Sequence, residues 1–198
     1  MAAPTDRPHF EVRLREKPLA ISGHVAAILA GIGEDVGRDG LRETPKRVEK
    51  FLGEVTAGYR EDPVALLKTF ENDGGYDQMV NVGPIPFYSL CEHHMVPFFG
   101  SAWIAYVPTN KVVGLSKLAR LVDVFARRLQ VQERMTEEIA GTLSGALQPQ
   151  GVGVMLKARH LCMEMRGVKK VGSFTETTAL RGCFQNADTR AEWLRGCR

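Results

Sequence analysis

The spacing of hydrophobic residues changes three times along this chain, and those changes limit the folds it can adopt. Apolar residues recur at helical spacing in the first third, alternate from Gln78, return to helical spacing after Ser116 and alternate again from Gly151. Helices and strands are therefore grouped in blocks along the chain. This order favours an α+β fold with antiparallel strands over a doubly wound parallel sheet.

Three helices are predicted in the first block. Pro18 opens the first helix, which ends at the glycines around residue 31. Thr44 is the predicted N-cap of the second helix, because a proline occupies the next position and apolar residues then recur at helical spacing. Asp62 and the proline after it repeat this start signal, so a third, short helix is predicted through VALLKTF.

The remaining blocks are predicted to be strands that flank a pair of helices. The segments MVNVGPIPFYSL, GSAWIAYVP and VVGLS have the composition and short connections of strands. Ser116 is the predicted cap of the next helix, and another helix spans residues 131–147. Helical spacing predicts which side chains of these two helices face inward: Leu118, Leu121, Val122 and Phe125 in the first, and Ile139 and Leu143 in the second. The segment GVGVMLKARHLCM is predicted to be a strand, with TETTALRGCF as its hairpin partner.

Composition and charge exclude several classes of protein. Of the 198 residues, 44% are hydrophobic and 25% are charged, which excludes disordered, collagen-like and coiled-coil chains. A formal net charge of +3 is too small to indicate binding along a nucleic-acid backbone. No apolar stretch approaches the roughly 20 residues that span a bilayer, and no signal peptide is recognisable. We therefore expect a cytoplasmic protein with no nucleic-acid or membrane partner.

Residues with metal-binding chemistry are concentrated in CEHH, residues 91–94, and HLC, residues 160–162. In a cytoplasmic chain, four cysteines are metal ligands or free thiols more often than disulfides. A period of two predicts that His160 and Cys162 share one strand face, and two residues separate Cys91 from His94, as in tight zinc-binding loops. Cysteine and histidine donors suit Zn²⁺ better than Mg²⁺ or Ca²⁺.

Two interpretations of these clusters remain open from the residues alone. If Cys91, His94 and Cys162 are the ligands, the fourth position is open to water, as in catalytic zinc sites that hydrolyse a substrate. Three other side chains compete for that position and would close a structural zinc site: His93, His160 and Cys183. Buried cysteines acting as small apolar residues, with histidines bonded to backbone carbonyls, are the metal-free alternative.

Four motifs together resemble one enzyme family. SLCEHH, GLSKLAR, QVQER and HLCMEMRG occur in the order and spacing of GTP cyclohydrolase I, and the similarity extends from about residue 18 to residue 195, including ETPKRV. The resemblance implies a zinc-dependent enzyme that opens the imidazole ring of GTP, releases C8 as formate and recloses the ring as 7,8-dihydroneopterin triphosphate. This is the first step of tetrahydrofolate, pterin or deazapurine biosynthesis.

The resemblance also implies roles for the two clusters. The zinc ligands of the family fall on Cys91, His94 and Cys162, the same three residues that the spacing indicates. Zinc lowers the pKa of a bound water, which would then attack C8 of the purine with Cys91 and Cys162 in the catalytic centre. His93 and His160 would flank this point as proton donors and acceptors.

The substrate contacts implied by the resemblance fall on eight side chains: Arg47, Glu92, Ser116, Lys117, Arg120, Gln132, Glu133 and Arg166. Ser116 and Lys117 begin a predicted helix, where free N–H groups favour the triphosphate, and Arg120 lies one turn further along. The carboxylate of Glu133 would accept the two guanine donors, with Gln132 beside it. Taken singly, each charged residue has the ordinary explanation of a solvated surface group.

The resemblance implies a T-fold, which is an antiparallel sheet with helices packed on one face, preceded by an N-terminal helical extension. Ring-forming homo-oligomers close the open sheet edges of this fold, and the family is a homodecamer with active sites between subunits. We expect three regions: an arm at 1–16, either mobile or docked on a partner, a helical extension at 17–75 and a catalytic T-fold domain at 76–198.

Two features depart from the family pattern. The segment VKKVGSFTETTALRGCF places Phe174 and Glu176 among hydroxyl residues that are expected to close over substrate, and Cys183 and Cys197 match no family role. Two other functions compete with the cyclohydrolase. A nitrile reductase of queuosine synthesis shares the fold but lacks CEHH with HxC, and a non-catalytic zinc-binding module would turn over no GTP.

Overall fold

The computed structural model describes residues 20–197. The described helices are α1 (Ile21–Gly31), α2 (Thr44–Val55), α3 (Pro63–Leu66), α4 (Leu115–Ala126), α5 (Gln132–Leu147), α6 (Leu161–Glu164) and α7 (Ala187–Gly196). The described strands are β1 (Thr69–Glu71), β2 (Val80–Cys91), β3 (Pro97–Val107), β4 (Lys111–Val113), β5 (Leu129–Gln130), β6 (Gly151–His160) and β7 (Thr175–Gly182). The predicted arm at residues 1–16 lies outside the described residues.

Five strands form the main sheet in the order β5-β2-β3-β6-β7. The β2–β3, β3–β6 and β6–β7 pairs are antiparallel, as the alternating segments predict. The two-residue strand β5 was not predicted, and it runs parallel to the end of β2, pairing Leu90 with Leu129 and Cys91 with Gln130. The chain is therefore a mixed α+β protein, and its sheet is mostly antiparallel.

The first face of the sheet packs against α4 and α5. Side chains of this core come from alternate positions of β3 and β6 and from the apolar faces of the two helices: Ala102, Ile104, Val152, Val154, Leu118, Leu121, Ile139 and Leu143. Each valine, leucine or isoleucine among them contributes about 1.5–3 kcal/mol by leaving water. The predicted inward faces of both helices are thus confirmed.

The second face of the sheet is covered at one end by α7, so the prediction that helices pack on one face only is incomplete. Trp103 and Met155 point to this side and meet Phe184 and Trp193. Gly153 allows this packing, because a Cβ there would approach both of those rings to about 2.9 Å. The α7 helix was not predicted, although Asn186 before it accepts hydrogen bonds from two N–H groups as an N-cap does.

Three helix boundaries differ from the predictions. Asp62 caps α3, as predicted, but that helix ends at Leu66 because the next residues form β1 and pair with β4. Strand pairing has overridden the local helical pattern there. Gly114, not Ser116, is the N-cap of α4, so Ser116 lies inside the first turn. Thr44 is the first residue of α2, and its hydroxyl donates to the carbonyl of Gly40.

The chain divides into two compact units. The first ends at Leu52 and contains α1 and most of α2, and the second begins at Gly53 and contains the sheet. The boundary expected at residues 75 and 76 stays a prediction. Between residues 20 and 197, no helix has both the length and the hydropathy of a membrane span.

Candidate active site

The turn between β2 and β3 presents the CEHH motif. The Cys91 N–H donates to the Val96 carbonyl over 2.9 Å, and the Met95 N–H donates to the Cys91 carbonyl over 2.8 Å. Met95 has a φ of 54°, in the left-handed region, which lets the chain reverse within five residues. The Glu92 N–H donates to the carbonyl of Gln130. Both histidines are thereby held on an exposed turn directly after the buried Cys91.

Cys91, His94 and Cys162 bring their ligand atoms together. One donor atom from each lies within 4.8 Å of the others, and Cys91 Sγ is 3.9 Å from His94 Nδ1. Donors around a tetrahedral zinc ion are about 3.6–3.8 Å apart, so a small contraction would complete the shell. Among the described residues, the other candidates do not join this cluster: His93, His160 and Cys183. The set therefore fits an ion with three protein ligands.

Cys162 reaches the cluster from a helical turn, so the prediction that it lies on the strand beside His160 is wrong. β6 ends at His160, and Leu161–Glu164 form α6. Arg159 donates to both carboxylate oxygens of the buried Glu164, which holds this turn against the strand. The same ion pair lowers the pKa of Glu164. Arg159 and Glu164 carry opposite charges on either side of HLC, and this was the signal in the sequence for their contact.

The electrostatics of the two thiols favour a bound cation. Burial raises the pKa of the Cys162 thiol, the neighbouring Cys91 raises it further, and Arg166 acts weakly in the opposite direction. Two thiolates this close need a compensating positive charge in order to ionise together. Two sulfur donors and one imidazole nitrogen are a ligand set that zinc prefers over the hard divalent cations.

His160 is half-buried at the end of β6. Its ring stacks on Phe98, with centroids 4.7 Å apart and planes 2° from parallel. Its Nε2 lies 2.7 Å from Oε1 of Gln132. Burial lowers the pKa of His160, while the negative charge of Glu133 partly opposes this shift. The sequence predicted His160 as a site residue but not the ring or the amide that hold it.

Three predicted substrate contacts lie on the turn after β2 and at the start of α5: Glu92, Gln132 and Glu133. Glu92 forms an ion pair with Arg134, which lowers the pKa of Glu92 and ties the turn to α5. Gln132 is buried, and Glu133 is exposed in the first turn of α5. The structure thus brings these predicted contacts to the same end of the sheet as the Cys–His–Cys cluster.

The predicted triphosphate contacts are placed differently. The carboxyl end of α4 leads into β5, which pairs with Cys91, and Ser116 lies about 15 Å along the helix axis from that end. Lys117 and Arg120 share this amino-terminal part of α4. Arg166 is exposed just after α6, and Arg47 is exposed on α2 in the first unit.

Phe174 and Glu176, which depart from the family pattern, both contact Lys157. Lys157 places its Nζ 4.0 Å from the centroid of the Phe174 ring and 2.7 Å from the Glu176 carboxylate. Phe174 and Lys157 also line a cavity of about 260 Å³ on the second face of the sheet. Phe174 and Glu176 therefore pack against the sheet of their own chain.

All four cysteines are free thiols. Cys183 and Cys197 pack against the aromatic core on the second face, and burial raises the pKa of Cys197 to about 11. Burial also raises the pKa of Cys183. Both thiols are therefore protonated near neutral pH.

Comparisons with known proteins agree on one family. A family model described as GTP cyclohydrolase I matches residues 21–198. GTP cyclohydrolase 1 of Chlorobium phaeovibrioides is 52% identical over 177 residues, which cover 89% of this chain and 79% of that protein. GTP cyclohydrolase 1 of Parabacteroides distasonis is 50% identical over 185 residues, which cover 92% of both chains.

Among solved structures, the apo form of the archaeosine synthase QueF-Like is similar with a TM-score of 0.41 and 17% identity. The match covers 54% of this chain and 94% of that chain. A likeness at this level carries no conclusion about the chain.

Proposed function

The chain belongs to the GTP cyclohydrolase I family, and we propose that Cys91, His94 and Cys162 bind the zinc ion of its active site. The family hydrolyses C–N bonds of a cyclic amidine in the first step of pterin and folate biosynthesis, with GTP as substrate. The observation that carries the zinc assignment is the meeting of three soft donor atoms within 4.8 Å. A zinc ion held there would supply a water with a pKa lowered toward neutrality.

The protein's own proton-transfer groups flank this cluster. His160 is held beside Gln132 and Phe98, and His93 lies on the turn with its Nδ1 3.8 Å from Cys91 Sγ. An imidazole that exchanges its proton near neutral pH suits protonation of N7 as the imidazole ring of GTP opens. C8 would leave as formate, and the ring would reclose as 7,8-dihydroneopterin triphosphate.

Guanine would be recognised at the start of α5. The exposed carboxylate of Glu133 can accept hydrogen bonds from guanine N1–H and from the exocyclic amine together. Its negative charge acts on His160, which supports a base-recognition group close to a proton-transfer group. Glu92, held by Arg134 at the exposed side of the turn, borders the same space.

The triphosphate would be bound between subunits. Ser116, Lys117 and Arg120 lie at the far end of α4 from Cys91 in one chain, so a neighbouring chain has to supply them. The free N–H groups at that helix terminus favour anions. Arg166 would add positive charge from the chain that holds the zinc ion, since it lies next to the metal-binding turn. Arg47, on α2, would add positive charge from another chain.

A triphosphate site built from two chains agrees with the oligomer that the family resemblance implies. We infer a T-fold whose sheets join in a ring-forming homodecamer, with active sites at the subunit interfaces, in the cytoplasm. An open sheet edge in each subunit is a physical reason for ring closure, because β5 and β7 have one unpaired side in the described chain.

One assay tests the zinc assignment. Protein loaded with zinc should release formate from GTP and, after oxidation, a fluorescent pterin, whereas protein stripped of metal should release neither until zinc is restored. Formate release by the fully stripped protein would overturn the role of the metal. Zinc binding without any GTP turnover would overturn the proposed catalytic roles of His93 and His160.

A further inference from the structure

Gln132 uses both ends of its side-chain amide inside the protein. The residue is only 2% exposed. Its Nε2 lies 3.1 Å from the Leu156 carbonyl, 3.0 Å from the Thr175 carbonyl and 3.1 Å from the Thr177 hydroxyl. Its Oε1 faces Nε2 of His160 at 2.7 Å. The side chain is therefore committed to the interior of its own subunit.

The orientation of this amide is determined by its partners. Backbone carbonyl oxygens only accept hydrogen bonds, so the group that faces Leu156 and Thr175 has to be the donor, Nε2. Rotating the amide would place Oε1 against two carbonyl oxygens and leave buried acceptors unpaired, which is strongly unfavourable. Oε1 must therefore be the atom that faces His160.

Two threonine hydroxyls reinforce the same orientation. The Thr136 hydroxyl donates to the Gln132 carbonyl over 2.7 Å, which uses its one hydrogen. Thr136 and Thr177 hydroxyls are 2.7 Å apart, so Thr177 has to donate to Thr136. The Thr177 oxygen is then left to accept from the Gln132 amide, whose two N–H hydrogens are shared among this oxygen and the carbonyls of Leu156 and Thr175. The four groups form one chain of hydrogen bonds with a single allowed direction.

We propose that Gln132 is a positioning residue that fixes His160 in the tautomer protonated at Nε2. An acceptor oxygen 2.7 Å away requires a donor at Nε2, so the lone pair of the neutral ring lies on Nδ1. Within residues 20–197, Nδ1 forms no hydrogen bond. Stacking on Phe98 holds the ring plane. Nδ1 is then the atom that exchanges a proton with substrate.

This inference rests on the proposed role of His160 in proton transfer, and it changes the expected role of Gln132. The amide does not bind guanine, although the residue lies next to Glu133. It also gives Thr177 a role in orienting that amide, through its contacts with Gln132 and Thr136.

Nitrogen-15 magic-angle-spinning NMR of full-length, ring-labelled protein tests the tautomer directly. At about pH 8, where a histidine ring is neutral, the signal that disappears in His160→Asn should show hydrogen on Nε2. Gln132→Met, which keeps the length but removes the acceptor, should give a mixture of tautomers. Hydrogen on Nδ1 in the wild-type protein, or an unchanged tautomer in Gln132→Met, would overturn the proposal.

Steady-state kinetics provide the second measurement. Gln132→Met should lower kcat for GTP at least about tenfold, with KM within about twofold of wild type, because the residue acts through a proton-transfer group. Thr177→Val should shift the tautomer population and kcat in the same direction, and Thr177→Ser should restore both. The exposed neighbour Thr178, changed to valine, is the matched control and should leave both unchanged.

Two kinetic outcomes separate this proposal from the proposed function. A rise in KM without loss of kcat in Gln132→Met would show substrate contact and overturn the positioning role. Unchanged GTP turnover in His160→Asn would overturn the proposed catalytic role of His160. His160→Asn serves only to assign the His160 signal, so the spectrum of the wild-type protein decides the tautomer whatever the kinetics show.

Discussion

At the scale of single residues, the proposed zinc site depends on the sulfur atom of Cys162. Serine has nearly the same shape as cysteine but carries a hydroxyl group in place of the thiol. Cys162→Ser keeps the side chain small but replaces a soft donor with a weak one, so bound zinc should fall from about one ion per chain to a small fraction. Metal analysis after dialysis measures this, and circular dichroism checks that the fold is retained. Ring opening should be lost together with the metal.

Cys183→Ser is the matched control for that substitution. Cys183 is a protonated thiol packed against the second-face core, outside the metal cluster. Its replacement should leave the zinc content unchanged. Full zinc occupancy in Cys162→Ser would remove Cys162 from the ligand set.

Glu133 should select guanine through its charge and its two acceptor oxygens. Glu133→Gln replaces one acceptor with a donor that would face a donor of the base, so kcat/KM for GTP should fall at least about 100-fold. Glu137→Gln, one turn along the same helix, removes an exposed carboxylate that pairs with Arg181 and should change the rate little. Equal kinetics for the two variants would place Glu133 outside the substrate site.

At the scale of elements, the short helix α6 depends on the pair between Arg159 and Glu164. Arg159→Ala leaves a carboxylate that is only 5% exposed without its partner. The turn that carries Cys162 should loosen, and zinc affinity should fall about tenfold or more. Competition with a zinc-binding dye measures this affinity. Lys157→Ala removes a more exposed ion pair on the same strand and should leave zinc affinity unchanged.

The same pair should make stability depend on pH. Arg159 holds the pKa of Glu164 below its ordinary range, so the contribution of the pair is complete above the ordinary pKa. It is lost as the pH falls through the lowered pKa. Calorimetry should therefore show a gap in Tm between wild type and Arg159→Ala at neutral pH that narrows in acid. A gap that does not change with pH would contradict this assignment.

The periodicity of apolar residues predicted some helices and strands correctly and others wrongly. Periodicity predicted the core faces of α4 and α5 and the antiparallel strands, because burial of one face requires those spacings. It failed at VALLKTF, where pairing of β1 with β4 ended the helix at Leu66. It also failed at Cys162, which lies in α6 beyond the end of β6, where Arg159 pairs with the buried Glu164.

At the scale of the whole molecule, the proposed site needs two chains. Arg47→Ala should bind triphosphate poorly and His160→Asn should transfer protons poorly, so each homo-oligomer should be nearly inactive. Co-expression with two different tags, followed by purification on both, yields mixed oligomers. Some interfaces then combine an intact Arg47 with an intact His160 from the other chain, and activity should return.

Native mass spectrometry confirms that mixed oligomers have formed. At equal mixing, about one site in four would contain both intact residues if the two chains assemble at random. Mixed oligomers with no activity above that of the two parents would show that Arg47 and His160 serve the same chain's site. The shared-site assembly would then be wrong.

The sequence alone determined the order of the helical and strand blocks and the concentration of thiol and imidazole groups in two clusters, because apolar spacing and donor chemistry are local properties. The tertiary structure decided how the two clusters meet. The antiparallel register that pairs Phe98 with His160 brings residues about 70 positions apart to one end of the sheet. It also decided which atom of His160 carries hydrogen, since the carbonyls that orient Gln132 belong to β6 and β7. Contacts between distant segments depend on register and burial, which no local spacing specifies.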